Sequence, residues 1–156
     1  MPETPTIREN ILINLQTVLE TIKKTAGFNN DFASAQRWNQ RGPALANIPT
    51  VIINAGPEEK DPSPFPLATC TFNVYLDIWT NHEETDTRSS DEILDSLLGD
   101  VEKALMADIT RGGHAINTKI LRNYPFQAVQ GQPSIGISIE IEITYQHQLT
   151  DPAVAG

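Results

Sequence analysis

The sequence predicts an α+β domain in two layers, with a mainly antiparallel sheet of four to five strands packed against two amphipathic helices. Residues 134–149 alternate strictly, with isoleucine at five successive odd positions and polar residues at the even ones, which is the period of a half-buried strand. Residues 7–22 and 93–105 carry apolar side chains at helical spacing. The predicted order is α-β-β-β-α-β-β, and residues 1–156 form one domain.

The first helix is predicted to begin after Thr6, because Thr6 and Glu9 have the spacing of a capping box. Its apolar stripe continues to Ile22. Gly27 predicts its end, since glycine readily adopts the left-handed conformation that closes many helices.

The next region holds the weakest predicted strand. Residues 32–38 are read as a short edge strand, followed by a loop over 39–47 and a short strand over 48–54. Residues 57–67 contain four prolines, which have no backbone N–H to donate to a sheet. The sequence therefore predicts a stiff projecting loop there.

The second half of the chain begins with residues 69–79, which alternate like the long strand and present one apolar face. Ser89 and Glu92 then form the capping box of the second helix, and Gly112–Gly113 is predicted to end it.

Residues 118–124 are predicted to form a hairpin with the long strand, which spans residues 134–149. Glycine, proline and small residues in 150–156 predict a flexible tail.

The composition restricts the classes of function. The formal net charge of −9 argues against a protein that grips nucleic acid or an anionic membrane surface, because both need a basic patch. No apolar run approaches the length of a membrane span. Cys70 is the single cysteine, so no internal disulfide is expected.

No pattern of catalytic residues is found. His82, His114 and His147 lie too far apart for a local metal site, and Cys70 shares the apolar face of its strand. Glu140 lies two residues from a second glutamate, but an outward polar row is what any one-sided strand requires. The sequence therefore predicts no enzyme, no metal site and no cofactor.

A turn over residues 110–114 is read as a helix C-cap, because it follows a helix and an anion site would precede one.

Aromatic and arginine side chains without an evident place in the core are the remaining feature. Tyr75 and Trp79 lie on the face of their strand opposite the apolar one, and Phe65 is held among prolines. Aromatic residues and arginine are enriched at protein interfaces. The candidate contact residues between subunits or with a partner are Arg37, Trp38, Arg41, Phe65, Tyr75 and Trp79.

The chain resembles the tail-terminator (tail-completion) proteins of long-tailed bacteriophages over nearly its whole length. The stretches that carry the resemblance are IRENILINLQTVLETI, IPTVIIN followed by GPEEKDP, CTFNVYLDIW, DEILDSLLGDVEKAL, MADITRGGHAINTKI and GISIEIEITYQHQLTDP. The resemblance implies a structural subunit that forms a homo-oligomeric ring, typically a hexamer, at the head-proximal end of the virion tail. Such a protein is made in the host cytoplasm.

The resemblance also implies the partners. The ring caps the tail tube protein, ends tube polymerisation and offers a surface to the neck and head-completion proteins, while DNA passes through its lumen. No cofactor, membrane or small-molecule substrate is expected. Acidic residues facing the lumen would repel DNA phosphates and keep the passage open. The first candidates are Glu140 and Glu142, and the second are Glu83, Glu84 and Asp86.

Two alternatives stay open. The chain could be a neck or head–tail connector subunit of the same particle. It could also be a small non-viral α+β domain that binds a ligand beside Trp79 and Tyr75. A small hydrolase is weaker still, because no candidate nucleophile has a base near it in sequence.

For the ring, the projecting segments 28–47 and 57–67 are the predicted contacts between copies.

Overall fold

The computed structural model describes residues 3–39, 48–62, 64–126 and 133–156. It confirms the α+β class, with two α-helices and a mostly antiparallel sheet. The elements are α1 (Ile7–Glu20), a short 3-10 helix (Lys24–Ala26), β1 (Ser34–Arg37), β2 (Thr50–Asp61), β3 (Leu67–Asn81), α2 (Ser90–Met106), β4 (Asn117–Pro125), β5 (Ser134–Gln148) and β6 (Asp151–Ala155).

The two strongly alternating runs are the central pair of strands. The strand order is β1-β2-β3-β5-β4, and β6 pairs with β5 beside this path. β3 and β5 are antiparallel over the full 15 residues of each strand, from Leu67 opposite Gln148 to Asn81 opposite Ser134. β1 is parallel to β2, and every other pair is antiparallel.

One hydrophobic core joins the sheet to both helices. The even residues of β3 and the odd residues of β5 are buried, as the period of two predicts. They pack in one cluster with the apolar stripes of α1 and α2. This side of the sheet is called the core face below, and the opposite side the outer face.

Both predicted helix starts are confirmed. The Thr6 hydroxyl accepts a hydrogen bond from the Glu9 backbone N–H at 3.0 Å, and the Ser89 hydroxyl accepts one from Glu92 at 3.1 Å. The predicted end of α1 at Gly27 is wrong, because the helix ends at Glu20. The backbone N–H groups of Thr21 and Ile22 bond to the carbonyls three residues back, Val18 and Leu19, which is the tightened last turn common at helix ends.

The predicted end of α2 at Gly112–Gly113 is wrong, because the helix ends at Met106 and its C-cap is Ala107. The turn over residues 110–114, predicted as the C-cap, follows that end. Arg111 has a φ of 51° and is fully buried, and its guanidinium donates to the carbonyls of Leu105 and Asp108. The Asp108 carboxylate accepts from the Thr110 hydroxyl at 2.5 Å and from the backbone N–H groups of Thr110 and Gly112 at 2.9 Å. These bonds close the turn and lower the pKa of Asp108 to about 2.

The projecting loop predicted over residues 57–67 is wrong in its first half. β2 continues to Asp61, and a register shift between Ala55 and Glu58 places Pro57 in a bulge. A proline is tolerated there because a bulge and a sheet edge do not need its N–H. Only the short connection before Leu67 leaves the sheet.

The predicted flexible tail contains a strand. Residues 151–155 form β6, with Asp151 opposite Gln148 and Ala155 opposite His147. β4 covers β5 only up to Thr144, so the last residues of β5 have an edge that β6 can pair with. The composition of the tail gives no sign of this pairing, because the hydrogen bonds are made by the backbone.

The long strand is one-sided only in its second half. From Ile135 to Ile141 every residue of β5 is buried, including Gly136, Ser138 and Glu140. This corrects the predicted wet row on the outer face. The reason is that side chains from the neighbouring strands lie over this half of β5: the Phe126 ring lies against Gly136, and Asn73, Tyr124 and Arg122 contact the Glu140 carboxylate.

Candidate functional site

A buried carboxylate is the centre of the outer face. Glu140 is 5 % exposed, and its carboxylate accepts hydrogen bonds from the Asn73 amide and the Tyr124 hydroxyl, each at 3.1 Å. The Nε of Arg122 lies 2.8 Å from the same carboxylate, and the Tyr75 hydroxyl lies at 3.4 Å. These four partners leave the Glu140 carboxylate little capacity for an external ligand.

The register of three strands brings this group together. Tyr75 lies opposite Glu140 on one side and Arg122 lies opposite it on the other, because a bulge in β4 shifts the pairing before Arg122. The next outer-face carboxylate, Asp77, accepts from the Asn54 amide at 2.7 Å, and burial raises the pKa of Asp77. These partners could not be predicted from the sequence, because one alternating run does not reveal the register of three strands.

Trp79 is held by an aromatic stack. Its ring lies 4.6 Å from that of Phe126 with only 12° between the two planes. Gly136 lies opposite Trp79, and a β-carbon there would come within 2.8 Å of the Ile78 carbonyl oxygen and would also meet the Phe126 ring. The stack therefore needs glycine at this position. A cleft of about 240 Å³ beside it is lined by Trp79, Leu94 and their neighbours, and Tyr75 is not among its lining residues.

The other interface candidates separate into paired and exposed residues. Arg37 makes two hydrogen bonds of 3.0 Å to the Glu9 carboxylate on α1, which lowers the pKa of Glu9. Trp38 is 60 % exposed and Phe65 is 84 % exposed. Arg41 lies outside the described residues. Trp38 and Phe65 are thus the two predicted contact residues whose apolar surface is largely open.

The acidic candidates also differ from one another. Glu83 and Glu84 are exposed in the connection between β3 and α2. Asp86 is paired with the guanidinium of Arg88 at 2.7 Å, and this hydrogen bonding lowers the pKa of Asp86 to about 2. Glu142 is half-buried at the wall of a shallow polar groove on the outer face. That these carboxylates face a lumen stays a prediction.

A second polar cluster lies at the far end of the core face. The Tyr145 hydroxyl donates to the Glu58 carboxylate at 2.5 Å, and the Lys60 ammonium donates to His147 Nε2 at 2.9 Å. Burial, together with the bond to Glu58, raises the pKa of Tyr145. Because the bulge in β2 turns Glu58 and Lys60 toward the core face, no alternation pattern predicts this cluster.

Neither the described side chains nor the comparisons with known proteins assign a role to the chain. In residues 3–39, 48–62, 64–126 and 133–156, no group of three or more His, Cys, Asp or Glu side chains is placed to hold a metal ion. Neither described helix is long and apolar enough to cross a membrane. No protein-family model matches the chain, and no curated protein is significantly similar to it.

Proposed function

We propose that this chain is a structural subunit of a virion that closes into a ring, a homohexamer, on the head-proximal end of a phage tail tube. The ring ends tube polymerisation and joins the tail to the neck and head, and DNA passes through it. In this proposal the subunit keeps the two-layer arrangement predicted from the sequence, with β6 following the predicted order α-β-β-β-α-β-β. The resemblance to tail terminators over nearly the whole chain supports this proposal.

The exposure of two aromatic side chains carries the proposal. Trp38 follows edge strand β1, and Phe65 lies in the turn between β2 and β3. Tyr75 and Trp79 have partners within the domain, whereas these two side chains are largely open to solvent. Large exposed apolar groups are disfavoured by about 25 cal/mol for each Å² left in water, so a surface that keeps them favours a contact with another protein.

The distribution of acidic residues is compatible with a passage for DNA. The net charge is −9, and Glu83, Glu84 and Glu142 keep carboxylates without a described ion pair. In the ring, such groups would face transiting phosphates and hold them off by repulsion, which prevents tight binding. A ring structure with these three side chains turned away from the bore would remove this part of the proposal.

Mass measurement in solution tests the ring directly. The purified chain is measured alone and with tail tubes, and the proposal expects a discrete assembly on the tube, with or without assembly in solution. Electron microscopy of particles that lack the protein then separates the two roles within a virion. Over-long tails support termination, whereas tails of normal length detached from heads support a neck or connector subunit.

The cleft beside Trp79 favours a second candidate, a small ligand-binding domain. Its lining includes Trp79, Leu94 and Ile135, so an apolar ligand would be the expected occupant. This candidate predicts a monomer whose tryptophan fluorescence changes on titration with a set of apolar metabolites. A chain that assembles on tubes and shows no such change excludes it.

A further inference from the structure

Two edges of the sheet have no strand partner among the described residues. β4 ends the strand order on one side. On the other side, β1 pairs with β2 only from Thr50 to Ile53, so the part of β2 from Ala55 to Asp61 has β3 on one side and no described strand on the other. An open edge can accept a strand from another chain.

The two open edges carry opposite charges on the same face. Lys119 of β4 lies opposite Glu142 of β5, and Glu59 of β2 lies opposite Thr71 of β3, which in turn pairs with Thr144. Lys119 and Glu59 are therefore both on the outer face. Their positions along the strand direction differ by only two residues of β5. Both side chains are exposed, and neither forms an ion pair in the described part of the chain.

The strand directions allow the two edges to meet. β2, β3, β5 and β4 are successive antiparallel neighbours, so β2 and β4 run in opposite directions. Rotation about an axis along the strands keeps the strand directions of a second copy unchanged. The β2 edge of that copy can thus pair with the β4 edge of the first copy as one more antiparallel pair. The outer faces of the two copies then lie on the same side.

We propose that Lys119 on the β4 edge of one copy pairs with Glu59 on the β2 edge of a second copy, which makes the contact that closes the ring. This inference rests on the function proposed above. Contact between two β4 edges would bring lysine to lysine, and contact between two β2 edges would bring glutamate to glutamate, so like edges repel each other. The contact is therefore head-to-tail, which is the kind that generates rings.

Charge reversal with complementation tests this pairing. The full-length variants Lys119→Glu and Glu59→Lys are each expected to associate at least tenfold more weakly than the wild type, as measured by sedimentation or native mass spectrometry. An equimolar mixture is expected to recover assembly, because in an alternating ring every contact regains opposite charges. The variant with both reversals is expected to assemble alone. Where the wild type assembles only on tail tubes, the same comparison is made on tubes.

Matched controls separate the edge contact from general charge effects. Lys24→Glu and Glu20→Lys reverse exposed charges on α1 and the short 3-10 helix, outside the strands, and are expected to leave assembly unchanged. Thermal unfolding shows whether each variant is folded. A measurement without variants is the salt dependence of wild-type assembly, which is expected to weaken as ionic strength rises from about 0.05 to 0.5 M because salt screens exposed charges.

The outcomes distinguish this pairing from the proposed function. A wild type that forms rings whose mass and salt dependence are unaffected by either reversal overturns the edge pairing and leaves the ring intact. Single variants that fail alone and also fail as a mixture overturn it as well. A wild type that stays monomeric with and without tail tubes overturns the proposed function, and the edge pairing with it.

Discussion

Trp79 and Tyr75 differ from Trp38 and Phe65 in one respect that the sequence does not show. All four side chains lie outside the predicted core. In the folded chain Trp79 stacks on Phe126 and Tyr75 reaches Glu140, whereas Trp38 and Phe65 are left largely in solvent. The comparison teaches that an aromatic residue on the polar face of a strand is not by itself an interface residue.

The position of each residue in the sheet explains the difference. β3 lies between β2 and β5, so Tyr75 and Trp79 have neighbours on both sides and their exposed surface can be covered. Trp38 follows β1 at the edge of the sheet, and Phe65 lies in a turn with few neighbours. Aromatic residues in central strands are therefore expected to stabilise the fold, and those at edges and turns to be open to a partner.

Trp79→Ala is expected to have the largest effect. Removal of the half-buried ring leaves Phe126 without its stacking partner above Gly136, so the free energy of unfolding should fall by about 2 to 3 kcal/mol. Urea denaturation followed by far-UV circular dichroism measures the change. Phe65→Ala is the matched control, and an equal loss in the two variants would contradict the distinction drawn here.

Glu140→Ala is expected to have the next largest effect on stability, because the Glu140 carboxylate contacts side chains on both neighbouring strands. Its loss leaves Asn73, Tyr124 and Arg122 without a common acceptor, and the free energy of unfolding should fall by about 2 kcal/mol. Glu142→Ala removes the next outer-face carboxylate of the same strand, which has no described ion pair, and should change stability by less than about 0.5 kcal/mol. Similar losses of unfolding free energy in the two variants would show that the hydrogen bonds and ion pair of Glu140 do not stabilise the fold.

The same comparison shows which parts of the structure can be predicted from a single sequence. Alternation in residues 134–149 predicts a central strand, and the capping residues Thr6 and Ser89 predict where the helices begin, because these signals are local. The partners of Glu140 and Trp79 depend on the register between strands, and the Glu58 cluster depends on a bulge. Neither leaves a periodic pattern, so the outer face could be predicted as polar but not as partly buried.

Asp108→Ala tests whether an exposed side chain can also stabilise the fold, because the exposed Asp108 carboxylate accepts hydrogen bonds from its own turn. Its pKa of about 2 in the folded chain lies below the usual value near 4, so its ionised form stabilises the fold. That contribution is complete above pH 4 and is lost as the pH falls toward 2. The unfolding temperature of the variant should be lower than that of the wild type at pH 7, and the gap should close between pH 4 and 2. Glu84→Ala, which removes a carboxylate with no described partner, should show no gap at either pH.

Trp38→Ala and Phe65→Ala are expected to have the smallest effect on stability and a clear effect on assembly. Both side chains are mostly in water in the single chain, so each substitution should change the free energy of unfolding by less than about 0.5 kcal/mol. If these side chains are covered by a neighbouring copy or by the tail tube, the same substitutions should weaken assembly about tenfold or more, since buried aromatics dominate many interfaces. Mass measurement with and without tubes and a capping assay give the two readouts. Variants that assemble and cap normally would remove Trp38 and Phe65 from the contact, and the open aromatic surface would then need another explanation.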